Sequence, residues 1–217
     1  MAEERTAILD AITDHGADTR SLFFRITGGL GFRPGQFLSC LLPIGGDRLI
    51  RPYSIASNPE EPERVELLLN LVPEGFGSRY LFGLSPGATL DFTGPWGTFV
   101  LDRAPEAEAV FIAIDTGIAP IRPMLHRAAA TATHPLTLLY ASHHPLYLDE
   151  LRGLPHLDVD VVSPAEVEGD VRSRWLDRDA DRTRHFYICG VGNVVPRLRD
   201  LLRSGGYVRR AVQYEKW

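Results

Sequence analysis

The sequence predicts an antiparallel β-barrel over residues 1–103, followed by a doubly wound α/β domain with a parallel sheet over residues 104–217. Three observations predict it. The first half alternates apolar and polar residues between closely spaced turn signals, as short half-buried strands do. After about Pro105 the apolar runs become continuous and alternate with helical stretches, the pattern of strands covered on both faces. A chain of 217 residues also leaves room for two domains of ordinary size, with enough apolar content to bury a core.

In the first half the turn signals are DHGADT, GGLGFRPGQ, PIGGDR, SNPEEPE and LSPGA. Among the strands they bound, RVELLLNLV sets Val65, Leu67, Leu69 and Leu71 on one face and Glu66 and Asn70 on the other. ATLDF sets Leu90 and Phe92 against Thr89 and Asp91. Several short strands at this spacing suggest a small barrel. The charged, proline-bearing stretch DRAPEAEA marks the domain boundary. AVFIAI then reads as a doubly covered strand, and APIRPMLHRAAATA as a helix. Its first turn would take both Pro120 and Pro123, because first-turn N–H groups have no intrahelical partner. LTLLYAS, DVDVVS and HFYICG repeat the strand signal, with YLDELRG, VRSRWLD and VVPRLRDLLRSGG as helices between and after them. Alternation of this kind implies a parallel sheet.

Composition narrows the function. A formal charge of −5, spread along the chain, argues against nucleic acid as a partner. No apolar run is long enough to span a bilayer, and MAEERT is a charged start without a signal-type apolar segment, so a cytoplasmic protein is expected. The two cysteines, Cys40 and Cys189, are too few for an iron–sulfur cluster and form no CxxC pair, so any redox role needs another cofactor. The seven histidines show no HExxH pattern, and the adjacent His143 and His144 would point in different directions; no metal site is expected.

Five blocks carry chemistry. RPYS, residues 51–54, places a fixed cation, a proline, a flat ring and a hydroxyl side by side. GFGSRYL brings Gly75, Gly77 and Ser78. GPWGTF brings Gly94, Pro95, Trp96, Gly97 and Phe99. DTGIAPIRPM ends a strand and opens a helix, and YICGVGNVV follows near the end of the chain. Each has an ordinary reading alone: a turn at Pro52 beside a solvated Arg51, a hairpin at Gly75 and Gly77, a buried small apolar Cys189. Their order and placement across essentially the whole chain resemble the ferredoxin–NADP reductase family of flavoenzymes, of the bacterial type without a fused iron–sulfur domain.

That resemblance implies FAD on the barrel. Arg51 would hold the pyrophosphate, Tyr53 would lie against the flavin and Ser54 would hydrogen-bond near its N5, with Pro52 also in the cofactor-binding set. A guanidinium matches phosphate oxygens in two-pronged geometry, a phenol offers a π-face, and a hydroxyl can donate or accept. Gly75, Gly77 and Ser78 resemble a second phosphate cradle, since glycine lets N–H groups approach an anion closely. Asn70 joins the cofactor-binding set, and GPWGTF is expected to pack, closing the barrel and joining the second domain. Thr116, Gly117 and Ile118 resemble the pyridine-nucleotide loop, where a helix N-terminus receives the pyrophosphate. Cys189 and Gly190 resemble the strand end that positions nicotinamide. Trp217 resembles an aromatic C-terminus that covers the FAD, and Glu215 is the candidate for proton handling. Ser54, Cys189 and Glu215 are thus the expected catalytic residues.

The chain also departs from the family. Asp115 stands where a glycine is common; a carboxylate there either repels the incoming phosphate or serves as an N-cap. The arginines that hold the 2′-phosphate of NADPH are replaced by His143 and Pro164, which favours NADH. The expected activity is therefore transfer of a hydride from NADH, less readily NADPH, to FAD. Electrons would pass onward to a separate ferredoxin, flavodoxin or oxygenase component. The rival reading is an FAD-containing electron-transfer subunit with no productive nucleotide site.

Overall fold

The computed structural model describes residues 3–101, 103, 105–178 and 180–217, which fall into two compact units, Met1–Val100 and Leu101–Trp217. The boundary expected at 103/104 ends on Ala104, which lies outside the described residues.

The first unit is an antiparallel sheet of six strands: β1 (Arg5–Asp14), β2 (Thr19–Arg25), β3 (Phe37–Ile44), β4 (Asp47–Ser54), β5 (Arg64–Asn70) and β6 (Thr89–Trp96). Their order is β4-β3-β6-β1-β2-β5. A bridge from Ile55, just past β4, to Leu67 of β5 joins the two ends, and the Ala56 N–H donates to the Glu66 carbonyl at 2.9 Å. This closure buries the apolar rows of Leu22, Phe24, Leu42, Leu67 and Phe92. The β3–β4 hairpin turns on Gly45 and Gly46, with φ of 54° and 91°, the positive pair that a two-residue turn between twisted strands requires. Helix α1 (Phe76–Phe82) follows β5.

Two expectations change here. Glu66 does not face water: it is 2 % exposed, and its Oε1 accepts a 2.6 Å bond from Ser21 Oγ, which His15 Nε2 meets at 2.8 Å. β5 is covered on both faces because a polar partner on the neighbouring strand satisfies the carboxylate. In GPWGTF, Phe99 is buried, but Trp96 is 41 % exposed and its Nε1 donates to Thr93 Oγ1.

The second unit is a parallel sheet, β7 (Ala109–Ile114), β8 (Leu136–Ala141), β9 (Leu157–Val162), β10 (His185–Gly190) and β11 (Val212–Lys216), in the order β11-β10-β7-β8-β9. Helices α2 (Ile118–Ala129), α3 (Leu148–Arg152), α4 (Val167–Trp175) and α5 (Val194–Ser204) make the connections. Val110 and Ile112 of β7 and Phe186 and Ile188 of β10 share a core with Trp175, Leu198 and Leu202. Phe111 and Tyr187, one position over, stack at 5.0 Å on the opposite face.

Pro120 sits in the first turn of α2, but Pro123 lies inside the helix, where the Ala119 carbonyl consequently has no N–H donor four residues on. α4 starts at Val167, four residues before the expected VRSRWLD. The C-terminal YEKW is no loose flap: Tyr214, Glu215 and Lys216 belong to edge strand β11, and Trp217 N–H donates to the Gly190 carbonyl at 3.2 Å.

Candidate functional site

In the first unit, β4 carries Arg51, Pro52, Tyr53 and Ser54, paired in register with Cys40, Ser39, Leu38 and Phe37 of β3. Ser54 is buried and Arg51 exposed. The Arg51 guanidinium bonds only the Ile50 carbonyl, at 2.9 Å, and makes no ion pair among the described residues. Gly77 of α1 lies against this strand: a Cβ there would stand 3.0 Å from Tyr53 Oη and 3.1 Å from Arg51 Cγ. RPYS and GFGS therefore meet at one place, where Arg51 and Tyr53 pack so closely on the Gly77 backbone that only a glycine fits. Burial, with the Cys40 thiol adding to it against the pull of Arg51, pushes the Tyr53 phenol up to about 12, so it remains a neutral hydrogen-bonding group.

The other expected residues of this unit are placed less directly. Ser78 Oγ accepts from Val72 N–H at 2.9 Å and stands 3.2 Å from the carbonyl oxygens of Val72 and Gly75, so the hydroxyl holds the turn that starts α1. A Cβ on Gly75 would meet Val72 Cβ at 2.9 Å, which explains the first glycine by packing. Asn70 accepts from Thr19 Oγ1 at the end of β5.

In the second unit the expected residues converge on the C-terminal ends of β7 and β10. β7 is flanked by β8 on one side and β10 on the other, which makes this the switch point where α/β sheets take ligands. A 3₁₀ turn, Asp115–Gly117, leads into α2. A Cβ on Gly117 would lie 2.1 Å from the Cys189 carbonyl oxygen and 2.7 Å from Gly190 Cα, and one on Gly190 would lie 2.6 Å from Ile114 Cβ. Both glycines are required for the close approach of the two strand ends.

Cys189 is fully buried, which, with the charge of Glu215 beside it in register on β11, holds its thiol well above the usual range. It is a neutral, covered thiol. Asp115 has φ of 49°, a left-handed conformation that suits glycine and that Asp tolerates better than most residues. Neither the 3₁₀ turn nor α2 has a side-chain cap, so the N-cap reading of Asp115 fails. Its charge is felt at Tyr140, whose phenol burial pushes up to about 12 and to which the Leu146 N–H donates.

Two groups of residues lie beyond what the sequence points to. Glu150 of α3 receives both Arg122 Nε (2.7 Å) and Nη2 (2.9 Å) and lies 2.6 Å from His126 Nε2, while Arg122 stacks over Tyr147 at 4.1 Å. Burial works against the Glu150 carboxylate, yet His126 and Arg122 together hold it down at about 2. This clamp ties α2 to the segment after β8; the four-residue spacing of Arg122 and His126 is its only signal in sequence. In the first unit, Glu74, Phe76, Arg79 and Tyr80 line a cavity of about 340 Å³ along α1.

The model of the oxidoreductase FAD-binding domain matches residues 6–101. "Ferredoxin--NADP reductase B" of Sorangium cellulosum is 32 % identical, the match covering 100 % of this chain and 99 % of that one. The reductase component of propane 2-monooxygenase from Rhodococcus jostii is 29 % identical over 87 % of this chain, which spans 56 % of that relative's length. Among solved structures, a ferredoxin NADP+ reductase from Neisseria gonorrhoeae shares the fold with a TM-score of 0.83 at 19 % identity, covering 100 % of this chain and 99 % of the other. With a full-length relative above 30 % identity and an FAD-domain match over the barrel, the chain belongs to the ferredoxin–NADP reductase family.

Proposed function

We propose that the chain is a cytoplasmic FAD-dependent reductase that takes electrons from NADH in preference to NADPH and passes them to a separate redox protein, a ferredoxin, flavodoxin or oxygenase component. The observation that carries this reading is the packing of Arg51 and Tyr53 against the glycine backbone of Gly77, with the exposed Arg51 guanidinium having no carboxylate partner among the described residues. Those residues fit a dinucleotide flavin. Arg51 would bind the pyrophosphate, Tyr53 would orient the flavin ring, and Ser54, buried at the strand end, would hold the ring edge. FAD when bound accepts a hydride and releases electrons singly. In the second unit, Gly117 and Gly190 bring the ends of β7 and β10 together at the switch point where the nicotinamide nucleotide would dock, and Arg122, His126 and Glu150 brace the segment beyond β8.

Relatives named for ferredoxin and for monooxygenase systems support an external acceptor. The preference for NADH rests on the segment after β8, Ser142 to Tyr147, which has no lysine or arginine to meet a 2′-phosphate. Anaerobic mixing with each nucleotide should bleach the flavin band faster with NADH. His143→Arg should lower the KM for NADPH by about 3- to 10-fold while leaving that for NADH within about twofold. A lower KM for NADPH than NADH in the unaltered protein would overturn the preference.

Asp115 favours the second reading, an electron-transfer subunit, because it places a carboxylate at the start of the phosphate-receiving turn. Asp115→Gly removes that charge and relieves the left-handed backbone. It should strengthen NADH binding by about 3- to 10-fold, as measured by titration. If neither the native protein nor this variant is reduced by NADH while dithionite reduces the flavin, the subunit reading replaces the reductase.

A further inference from the structure

We propose that Glu150 is a positioning residue for the pyridine nucleotide: through Arg122 it holds Tyr147 in a left-handed conformation, and so fixes the segment after β8 against which NADH docks. The inference rests on the reductase reading and adds to it a side chain, outside that segment, that sets nucleotide affinity. Tyr147 has φ of 60° and ψ of 20°. A bulky L-residue keeps that conformation only where its surroundings over-determine it, and such strain gathers at functional sites. Here the surroundings are specific. The Arg122 guanidinium lies 4.1 Å over the Tyr147 ring, and the Tyr147 carbonyl accepts from Leu151 N–H at 2.9 Å. Arg122 is held in turn by its two-pronged contact with Glu150, whose Oε1 also lies 2.6 Å from His126 Nε2.

Other contacts fix the rest of the segment. Ser142 N–H donates to the Val162 carbonyl at 3.1 Å, His144 N–H to Ser142 Oγ at 3.1 Å, and Leu146 N–H to Tyr140 Oη at 3.2 Å. His143 and His144 are thereby left exposed between two anchored ends. They follow the C-terminal end of β8, next to β7 at the switch point, where a nucleotide meets an α/β sheet. Arg122, His126 and Glu150 all lie outside this stretch of chain and act on it through Tyr147. A planar guanidinium suits the task, since it can stack on a ring while its edge meets a carboxylate. Burial opposes the Glu150 charge, but His126 and Arg122 hold the carboxylate down at about 2, so the clamp stays ionised through the neutral range.

The test follows reduction of ferricyanide by the FAD-loaded full chain at varied NADH, with denaturant unfolding alongside. Glu150→Gln keeps the side-chain shape and removes the charge. It should raise the KM for NADH about 3- to 10-fold and leave kcat within about twofold, the split expected when binding alone is weakened. Tyr147→Gly takes up the left-handed angle without strain, so in that background Glu150→Gln should change KM by less than about twofold. An unchanged KM in Glu150→Gln overturns the proposal. So does a fall in kcat matched by a lower unfolding midpoint, which would make the clamp a general support of the fold. Effects of the two substitutions that multiply in the double variant also overturn it, because Glu150 would then act by a route other than Tyr147. If the unaltered protein is not reduced by NADH at all, the reductase reading fails and this inference with it, an outcome distinct from a failure at Glu150 alone.

Discussion

Gly117→Ala is expected to destabilise the second unit by about 3 kcal/mol or more, beyond the usual cost of overpacking, and to abolish reduction by NADH. The added Cβ would lie 2.1 Å from the Cys189 carbonyl oxygen and 2.5 Å from its carbon. Both are backbone atoms of a strand paired to β7 on one side and β11 on the other, so neither can move without breaking two ladders. The collision falls at the strand ends where the nucleotide should dock, which joins the stability and activity losses. Denaturant unfolding followed by near-UV circular dichroism measures the first, and anaerobic flavin reduction the second. Gly169→Ala in the first turn of α4 is the control: nothing lies within 4 Å of where its methyl group would stand, and replacing a helical glycine should stabilise by up to about 0.5–1 kcal/mol. An unchanged unfolding midpoint for Gly117→Ala would mean that the two strand ends are not held as described.

The fold is legible wherever burial shows in the local pattern. AVFIAI and HFYICG match β7 and β10 residue for residue because strands covered on both faces have uninterrupted apolar runs. β11 has no such signal, because VQYEK has one buried residue and polar neighbours; its strand identity comes from pairing with β10, where Val212 stands in register with Phe186. Glu66 reads as a polar-face residue because its partner Ser21 lies 45 residues away, and periodicity carries no information about such a pair. Local rules place Pro123 in the first turn of its helix, and the packing of α2 against the sheet overrides them.

The site divides in the same way. Gly117, Cys189 and Gly190 can be read from motifs that also dictate a close backbone approach. The Arg122–His126–Glu150 clamp cannot, since charged residues at four-residue spacing occur on most helices. The left-handed Asp115 connects the two levels. The sequence has a carboxylate where glycine is common, and the backbone angle supplies the physical reason for that glycine.

Arg51→Ala should weaken FAD binding by about 10- to 100-fold, because a charge-assisted, two-pronged contact to the pyrophosphate is lost and nothing nearby replaces it. Stability should barely change. The side chain is exposed, and among the described residues it bonds only the adjacent Ile50 carbonyl. Purified variant protein should therefore be nearly colourless yet unfold close to the native midpoint. Arg51→Lys should recover only part of the affinity, since an ammonium is a point charge without the fork that meets two phosphate oxygens. Equilibrium titration of the stripped proteins with FAD gives all three affinities in one experiment. Full flavin content in Arg51→Ala would mean that the Gly77 backbone and Tyr53 hold the dinucleotide without a fixed cation, and that the Arg51 guanidinium serves another anion.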